Sequence, residues 1–314
     1  MSKVCFGVDI GGTTVKIGMF DEFGELEFQC EIPTRKENSG ELVIPDICEK
    51  LCSILADSDL TKEDVIGVGL GIPGAVDDNG TVLKCVNLGW GVFNVADKFK
   101  EVFGDVLVKC GNDANVAALG EQYKGSGEGV KNMVMITLGT GVGGGVILDG
   151  KIITGVNGAA GEIGHMPMYD DEESTCGCGK KGCLEQYGSA TGVVKVAKKI
   201  LANTDDASEL RNKEDFSAKD VFDLAKAGDD IANLAVEELG KYLGKAAAYI
   251  SCVVDPDMFV IGGGVSRAGQ FLLDRIERNY KEYAFFASRE TKFTLATLGN
   301  DAGIYGAAAL ILSK

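Results

Sequence analysis

Short apolar runs punctuate this chain, and most of them stop at glycine. Lys3 to Val8 is β-branched and aromatic, and it leads into Asp9-Ile10-Gly11-Gly12-Thr13-Thr14. Val15 to Phe20 follows at once, and Asp21-Glu22-Phe23-Gly24 reads as a turn. Strand, glycine turn, strand predicts a hairpin. Asn132 to Leu138 and Val146 to Leu148 repeat this plan around a glycine turn spanning Gly139-Thr140-Gly141-Val142-Gly143-Gly144-Gly145. Those glycines satisfy G-x-G-x-x-G, but a β-run follows them where a Rossmann unit needs a helix, so dinucleotide binding of that kind is excluded. Two hairpins, each with threonine at its turn, suggest two related halves facing one nucleotide.

Between and after the hairpins the period changes. Helical spacing is predicted over Glu41 to Ala56, over a short helix capped by Asn94 with Val95, Phe99, Val102 and Phe103 inward, and from Asn112 through Tyr123. It recurs over Gln186 to Ala202, after Ser217 with its partner Asp220, and over Asp229 to Val254, with Ile231, Leu234, Leu239, Leu243 and Ala247 inward. Further strands are expected at Val65 to Ile72, Val106 to Cys110, Met258 to Ile261 and Lys292 to Leu298. The last glycine cluster, Gly262-Gly263-Gly264-Val265, leads from a strand into a helix, and Asp301 to Leu312 is a charge-poor closing helix.

Composition narrows the function. The 314 residues carry a net charge of −16, and no basic stripe is present to displace counterions from phosphates, which argues against nucleic-acid binding. The chain enters its first strand with no leader-like segment, and no apolar run approaches the ~18 residues of a membrane helix, so a cytoplasmic protein without a membrane partner is expected. Forty-four glycines point to many close backbone approaches. Seven of the ten cysteines (Cys5, Cys30, Cys48, Cys52, Cys85, Cys110 and Cys252) stand singly in apolar surroundings and read as small buried hydrophobes.

The other three lie beside the single histidine. His165, Cys176, Cys178 and Cys183 fall within nineteen residues, separated by glycines that allow tight folding. One imidazole and three thiols are the ligand set of a structural tetrahedral zinc site with no open position. Glu162 and Glu185 bracket the cluster. Gly111-Asn112-Asp113-Ala114-Asn115 offers three polar residues at a helix start where a cap needs one, which leaves Asp113 as a candidate general base. At the first hairpin, Thr13, Lys16 and backbone amides can hold a phosphate, and Asp9 can receive Mg²⁺. Trp90 reads as packing more readily than as a ligand platform.

Taken together, Asp9-Ile10-Gly11-Gly12-Thr13, Asn112-Asp113-Ala114-Asn115, Thr137 to Gly144, Gly161-Glu162-Ile163-Gly164-His165 and the cysteine cluster resemble the ROK family of sugar kinases, its bacterial glucokinases above all. The resemblance covers the whole length and implies the actin-like ATPase (ribonuclease H-like) α/β fold, with two lobes around a central cleft. It divides the chain into 1–111 with 301–314, and 112–300. It implies phosphorylation of D-glucose at the 6-hydroxyl by MgATP, with Asp113 as catalytic base. By position, Asn87, Asn112, Asp113, Glu162, His165 and Glu185 match sugar ligands. Asp9, Gly11, Gly12, Thr13, Lys16, Gly139, Thr140, Gly141, Gly143, Gly263, Gly264 and Val265 match the ATP segments. His165 thus serves zinc through one ring nitrogen and sugar through the other. The family also implies a homodimer. Its repressors carry a helix-turn-helix ahead of the kinase-like part, and none is expected here. The alternatives are a kinase for mannose, N-acetylmannosamine, allose or fructose, and a sugar sensor without turnover.

Overall fold

The computed structural model describes residues 3–77 and 79–313. They form two compact units, Met1–Gly129 with Ile152–Ala160 and Asn300–Lys314, and Val130–Lys151 with Gly161–Gly299. No helix among the described residues is long and apolar enough to cross a membrane.

The first unit opens with the hairpin β1 (Val4–Ile10) and β2 (Thr14–Asp21), extended by β3 (Leu26–Pro33). A single turn α1 (Glu37–Gly40) and helix α2 (Val43–Asp57) lead to β4 (Val65–Ile72). A small sheet of β5 (Ala75–Val76), β6 (Thr81–Lys84) and β7 (Phe93–Asn94) precedes α3 (Val95–Phe103), β8 (Val108–Asn112) and α4 (Asp113–Lys124). The main sheet runs β3-β2-β1-β4-β8, antiparallel through the hairpins and parallel from β1 to β8.

The second unit repeats this order. Hairpin β9 (Met133–Leu138) and β10 (Val142–Leu148) is followed by β11 (Lys151–Ile152), α5 (Glu185–Gly188), α6 (Ala190–Asn203), α7 (Ala218–Lys226) and α8 (Asp230–Val254). Strand β12 (Met258–Gly262), α9 (Gln270–Tyr283) and β13 (Lys292–Leu295) complete it, in a sheet ordered β11-β10-β9-β12-β13. In both sheets the hairpin's first strand pairs parallel with the next long strand, so the two halves read from the glycine hairpins share one topology.

Helix α10 (Ala302–Leu312) returns to the first unit. It lies so close that a Cβ on Gly7 or Gly69 would meet the Ile304 or Ala307 carbonyl oxygen at 2.0 or 1.8 Å, and one on Gly120 of α4 would meet the Ala302 carbonyl oxygen at 2.1 Å. This packing corrects the expected division at residue 112. Helix α4 belongs with the first unit because glycines on α4, β1 and β4 let α10 bury its apolar surface there.

Several expectations shift on the three-dimensional evidence. The glycine turn at 139–145 is shorter than its sequence: Gly143, Gly144 and Gly145 pair with Thr137, Ile136 and Met135 inside β10. Gly144 is needed there because a side chain would run into the Gly161 carbonyl and Ile163 at 2.7 Å. The final strand stops at Leu295, and a break at Ser189 separates α5 from α6. Val102 and Leu234, expected inside, are 41% and 53% exposed, and Cys252 is exposed as well. Periodicity assigns a helix a face, but only packing decides how far round that face is covered. Trp90 is buried, donating from Nε1 to the Gly40 carbonyl at 3.2 Å and packing edge-on to Phe93.

Candidate active site

In the first unit the site grows from the ends of β1, β4 and β8. Asn112 closes β8 and caps α4, its Oδ1 accepting from the amides of Ala114 at 3.0 Å and Asn115 at 3.1 Å. Its Nδ2 donates to the Gly74 carbonyl and to Asp113 Oδ1, both at 3.0 Å. Asp113 Oδ1 also accepts from the Ala114 amide at 2.8 Å. The carboxylate is therefore held at a helix N-terminus by two donors.

Asp9 lies near enough to Asp113 to feel its charge. Burial pushes the Asp9 carboxyl up to about 6, with Asp113 adding to the rise and Lys16 opposing it. Two neighbouring carboxylates suit a cation. The hairpin tip beside them is tight, with the Gly11 amide donating to the Thr14 carbonyl at 3.0 Å, and Gly12 neighbours Asn87. Lys16 pairs with Glu31 at 3.5 Å and Asp301 at 3.4 Å and donates to the Asn300 carbonyl, so its contacts lend no support to the phosphate role expected of it.

In the second unit, the turn Gly139–Gly141 is stitched to the segment that follows the cysteines. The Ala190 amide donates to the Gly139 carbonyl at 2.9 Å, and Thr191 Oγ1 to the Thr140 carbonyl at 2.7 Å. A Cβ on Gly141 would lie 2.5 Å from Glu185 Oε2, so the bare glycine makes room for that carboxylate. Glu185 Oε1 accepts from Cys176 Sγ at 2.8 Å and lies 3.8 Å from His165 Nδ1, while Glu162 Oε2 is 3.9 Å from His165 Nε2. The structure brings Glu162, His165 and Glu185 together, as the sequence implied.

The zinc ligand set also converges. The donor atoms of His165, Cys176, Cys178 and Cys183 all lie within 4.8 Å of one another. Cys178 Sγ is 3.6 Å from Cys183 Sγ, and Cys176 Sγ is 3.7 Å from His165 Nδ1. A tetrahedron with Zn–S bonds of about 2.3 Å has edges of about 3.8 Å, so the donors fit the ion. Burial raises the Cys176 and Cys183 thiols, whereas the Lys180 amide lowers that of Cys178. Gly182, with a positive φ of 72°, turns the chain against the Tyr169 carbonyl, which a Cβ would approach to 1.8 Å.

Gly139, Thr140, Gly264 and Val265 open onto a cavity of about 430 Å³. Its far wall is the α7 face of Ala218, Phe222 and Lys226, which the sequence reading missed. The available signal was the capping box Ser217–Asp220, which starts α7 and sets Ala218 and Phe222 on one face. Gly263 has a different role from Gly264. At φ 83° it lies so close to the Leu138 backbone that a Cβ would come within 2.5 Å of the Leu138 carbonyl oxygen, which fixes the turn itself.

The ROK family matches residues 5–314. This chain belongs to the ROK family. Among its relatives, the glucokinase of Halalkalibacterium halodurans is 43% identical over 97% of this chain and 94% of its own length. That of Thermotoga maritima is 35% identical over 98% and 97%. A crystal structure of a ROK family glucokinase from Streptomyces griseus in complex with glucose and AMPPNP is similar at a TM-score of 0.77 and 34% identity, covering 98% of both chains. The paired five-stranded sheets are thus the two halves of the actin-like ATPase fold. Asn112 and Asp113 thus lie together in the first unit, and Glu162, His165 and Glu185 lie together in the second.

Proposed function

We propose that this ROK protein is an ATP-dependent glucokinase, which transfers the γ-phosphoryl group of ATP to the 6-hydroxyl of D-glucose and releases ADP. The observation that carries the catalytic assignment is the division of labour at α4: Asn112 does the capping, so Asp113 is not needed for it. Asp113 accepts the proton of the 6-hydroxyl as that oxygen attacks the γ-phosphorus. The Ala114 amide and the Asn112 side-chain amide hold it in place.

Asn87, Asn112, Glu162, His165 and Glu185 bind the sugar hydroxyls in this scheme. A sugar lacking a matching hydroxyl leaves one of these polar groups unpaired, which is the physical basis of discrimination. The cavity of about 430 Å³ between the glycine turns and α7 receives the adenosine. Asp9 would hold the Mg²⁺ that accompanies ATP and neutralises phosphate charge. His165, Cys176, Cys178 and Cys183 would hold a zinc ion that is structural, having no open position. With Nδ1 on the cysteine side, His165 presents Nε2 beside Glu162 for the sugar, so the metal set fixes the tautomer. A cytoplasmic homodimer completes the proposal.

The test is ADP release with MgATP across glucose, mannose, fructose, allose and N-acetylmannosamine, with Asp113→Ala as the blank. A kcat/KM highest for glucose supports the assignment, and a higher value for another sugar corrects the substrate. No turnover on any sugar, with binding still detected by calorimetry, refutes the kinase and leaves a sensor.

A further inference from the structure

One side chain joins both arms of the cysteine segment. The segment folds back on itself at the bridge between Thr175 and Lys181, where the Cys176 amide donates to the Lys180 carbonyl at 2.8 Å. Its far arm bridges Cys183 to Pro167. Gln186, in the single turn α5, reaches both arms. Its Oε1 accepts from the Cys183 amide at 3.1 Å, and its Nε2 donates to the Ser174 carbonyl and to Ser174 Oγ, both at 3.0 Å. A side-chain amide offers an acceptor and two donors at one end, and here a backbone N–H and a backbone carbonyl fix which atom is which.

Ser174 is itself tied down. Its amide and hydroxyl donate to Glu172 Oε1 at 2.9 and 2.8 Å. Lys195 of α6 donates to Ser174 Oγ at 2.5 Å and pairs with Glu172 at 2.8 Å. The Tyr187 hydroxyl donates to Glu172 Oε2 at 2.6 Å, so α5 meets the acidic loop through two successive residues. Glu185 immediately precedes Gln186, and whatever fixes Gln186 fixes the turn that carries Glu185. We infer that Gln186 is a positioning residue: it braces the cysteine segment around the metal set and locks the turn bearing Glu185 to that segment. The brace rests on these hydrogen bonds, and its link to sugar rests on the proposed role of Glu185. None of the bonds made by Gln186 uses a metal-ligand atom, so the brace acts alongside the ion. Its route to the sugar also differs from the one through the His165 tautomer, because it sets where a carboxylate stands. Outer-shell contacts of this kind stiffen a ligand set and slow its opening.

Two variants of the full chain test this. Gln186→Met keeps the length of the side chain and loses its hydrogen bonds. Gln186→Glu keeps an acceptor for the Cys183 amide but sets a carboxylate against the Ser174 carbonyl. The readouts are zinc transfer to a chromogenic chelator and, in zinc-saturated protein, the affinities for glucose and ATP by calorimetry, with circular dichroism reporting folding. Both variants should hold zinc about 10–100-fold more weakly and, once saturated with it, bind glucose several-fold more weakly with ATP affinity unchanged. A general loss of stability would not divide the two ligands in this way. Ser174→Ala, at an exposed position, removes only the hydroxyl contact and should fall between wild type and Gln186→Met. Wild-type zinc retention in both Gln186 variants would overturn the brace. Weaker zinc retention with unaltered glucose affinity in the saturated variants would overturn the lock on Glu185. If wild type bound no glucose while both variants lost zinc faster, the brace would stand and the sugar reading alone would fall.

Discussion

Asn112 Nδ2 donates to Asp113 Oδ1 at 3.0 Å, while Asn112 Oδ1 takes the two amides that begin α4. One side chain thus caps the helix and holds the Asp113 carboxylate. Asp113→Ala is expected to lower kcat by about 10²–10⁴-fold, measured by coupled ADP release, with glucose binding retained in calorimetry. Asn112→Ala should lower thermal stability through loss of a cap worth about 1 kcal/mol and also reduce kcat.

The zinc set makes a separate forecast. Cys178→Ser, or dialysis of the wild type against a chelator, should release one equivalent of zinc by elemental analysis and raise the KM for glucose more than that for ATP. The same ion should shield Cys178 from thiol reagents, whereas the exposed Cys252 reacts in both forms. Metal-free protein with an unchanged KM for glucose would remove the link between zinc and His165.

Gly141 and Glu185 form a second coupled pair. A methyl group at position 141 would press on Glu185 Oε2 at 2.5 Å, and the flexible end of that side chain has to move. Gly141→Ala is therefore expected to raise the KM for glucose several-fold with the fold intact, read by steady-state kinetics and circular dichroism. An unaltered KM would mean that the position of Glu185 does not matter to the sugar.

The proposed adenosine role of the cavity walled by α7 can be tested on its own. Phe222→Ala removes a buried ring beside Val265 and should raise the KM for ATP about tenfold or more while leaving that for glucose nearly unchanged. Equal effects on both substrates would place the nucleotide elsewhere.

Glu172 ties the acidic loop to the helices behind the cysteines. Burial pushes its carboxyl up, but Lys195 at 2.8 Å, the Tyr187 hydroxyl at 2.6 Å and Ser174 outweigh this and hold it well below the usual range. Because the folded value lies below the unfolded one, near 4.3, the contribution is full above that pH and disappears as pH falls through the folded value. Glu172→Gln should cost about 2 kcal/mol in urea unfolding at pH 7, and the gap from wild type should shrink as the pH is lowered below about 4. A gap independent of pH would refute the charge-based account.

The elements and the chemistry of this protein were largely determined by its sequence, because both are local. Strand β4 and the hairpins follow from short apolar runs bounded by glycine, and the metal set follows from four ligand residues too closely spaced to fall far apart. Asn112 and Asp113 were both visible at a helix start and both reach the Ala114 amide, but only the folded structure showed Asn112 reaching that of Asn115 as well. Packing alone decided the rest. Gly143 looked like turn and is strand, Leu234 looked like core and is surface, and α4 looked like the start of a new lobe and stayed with the old one. The Phe222 wall escaped for the same reason: periodicity gives a helix an apolar face without naming what that face meets. Which surfaces a chain buries is set by approaches such as that of α10 to Gly7, Gly69 and Gly120, between residues far apart in sequence, and only the folded structure states them.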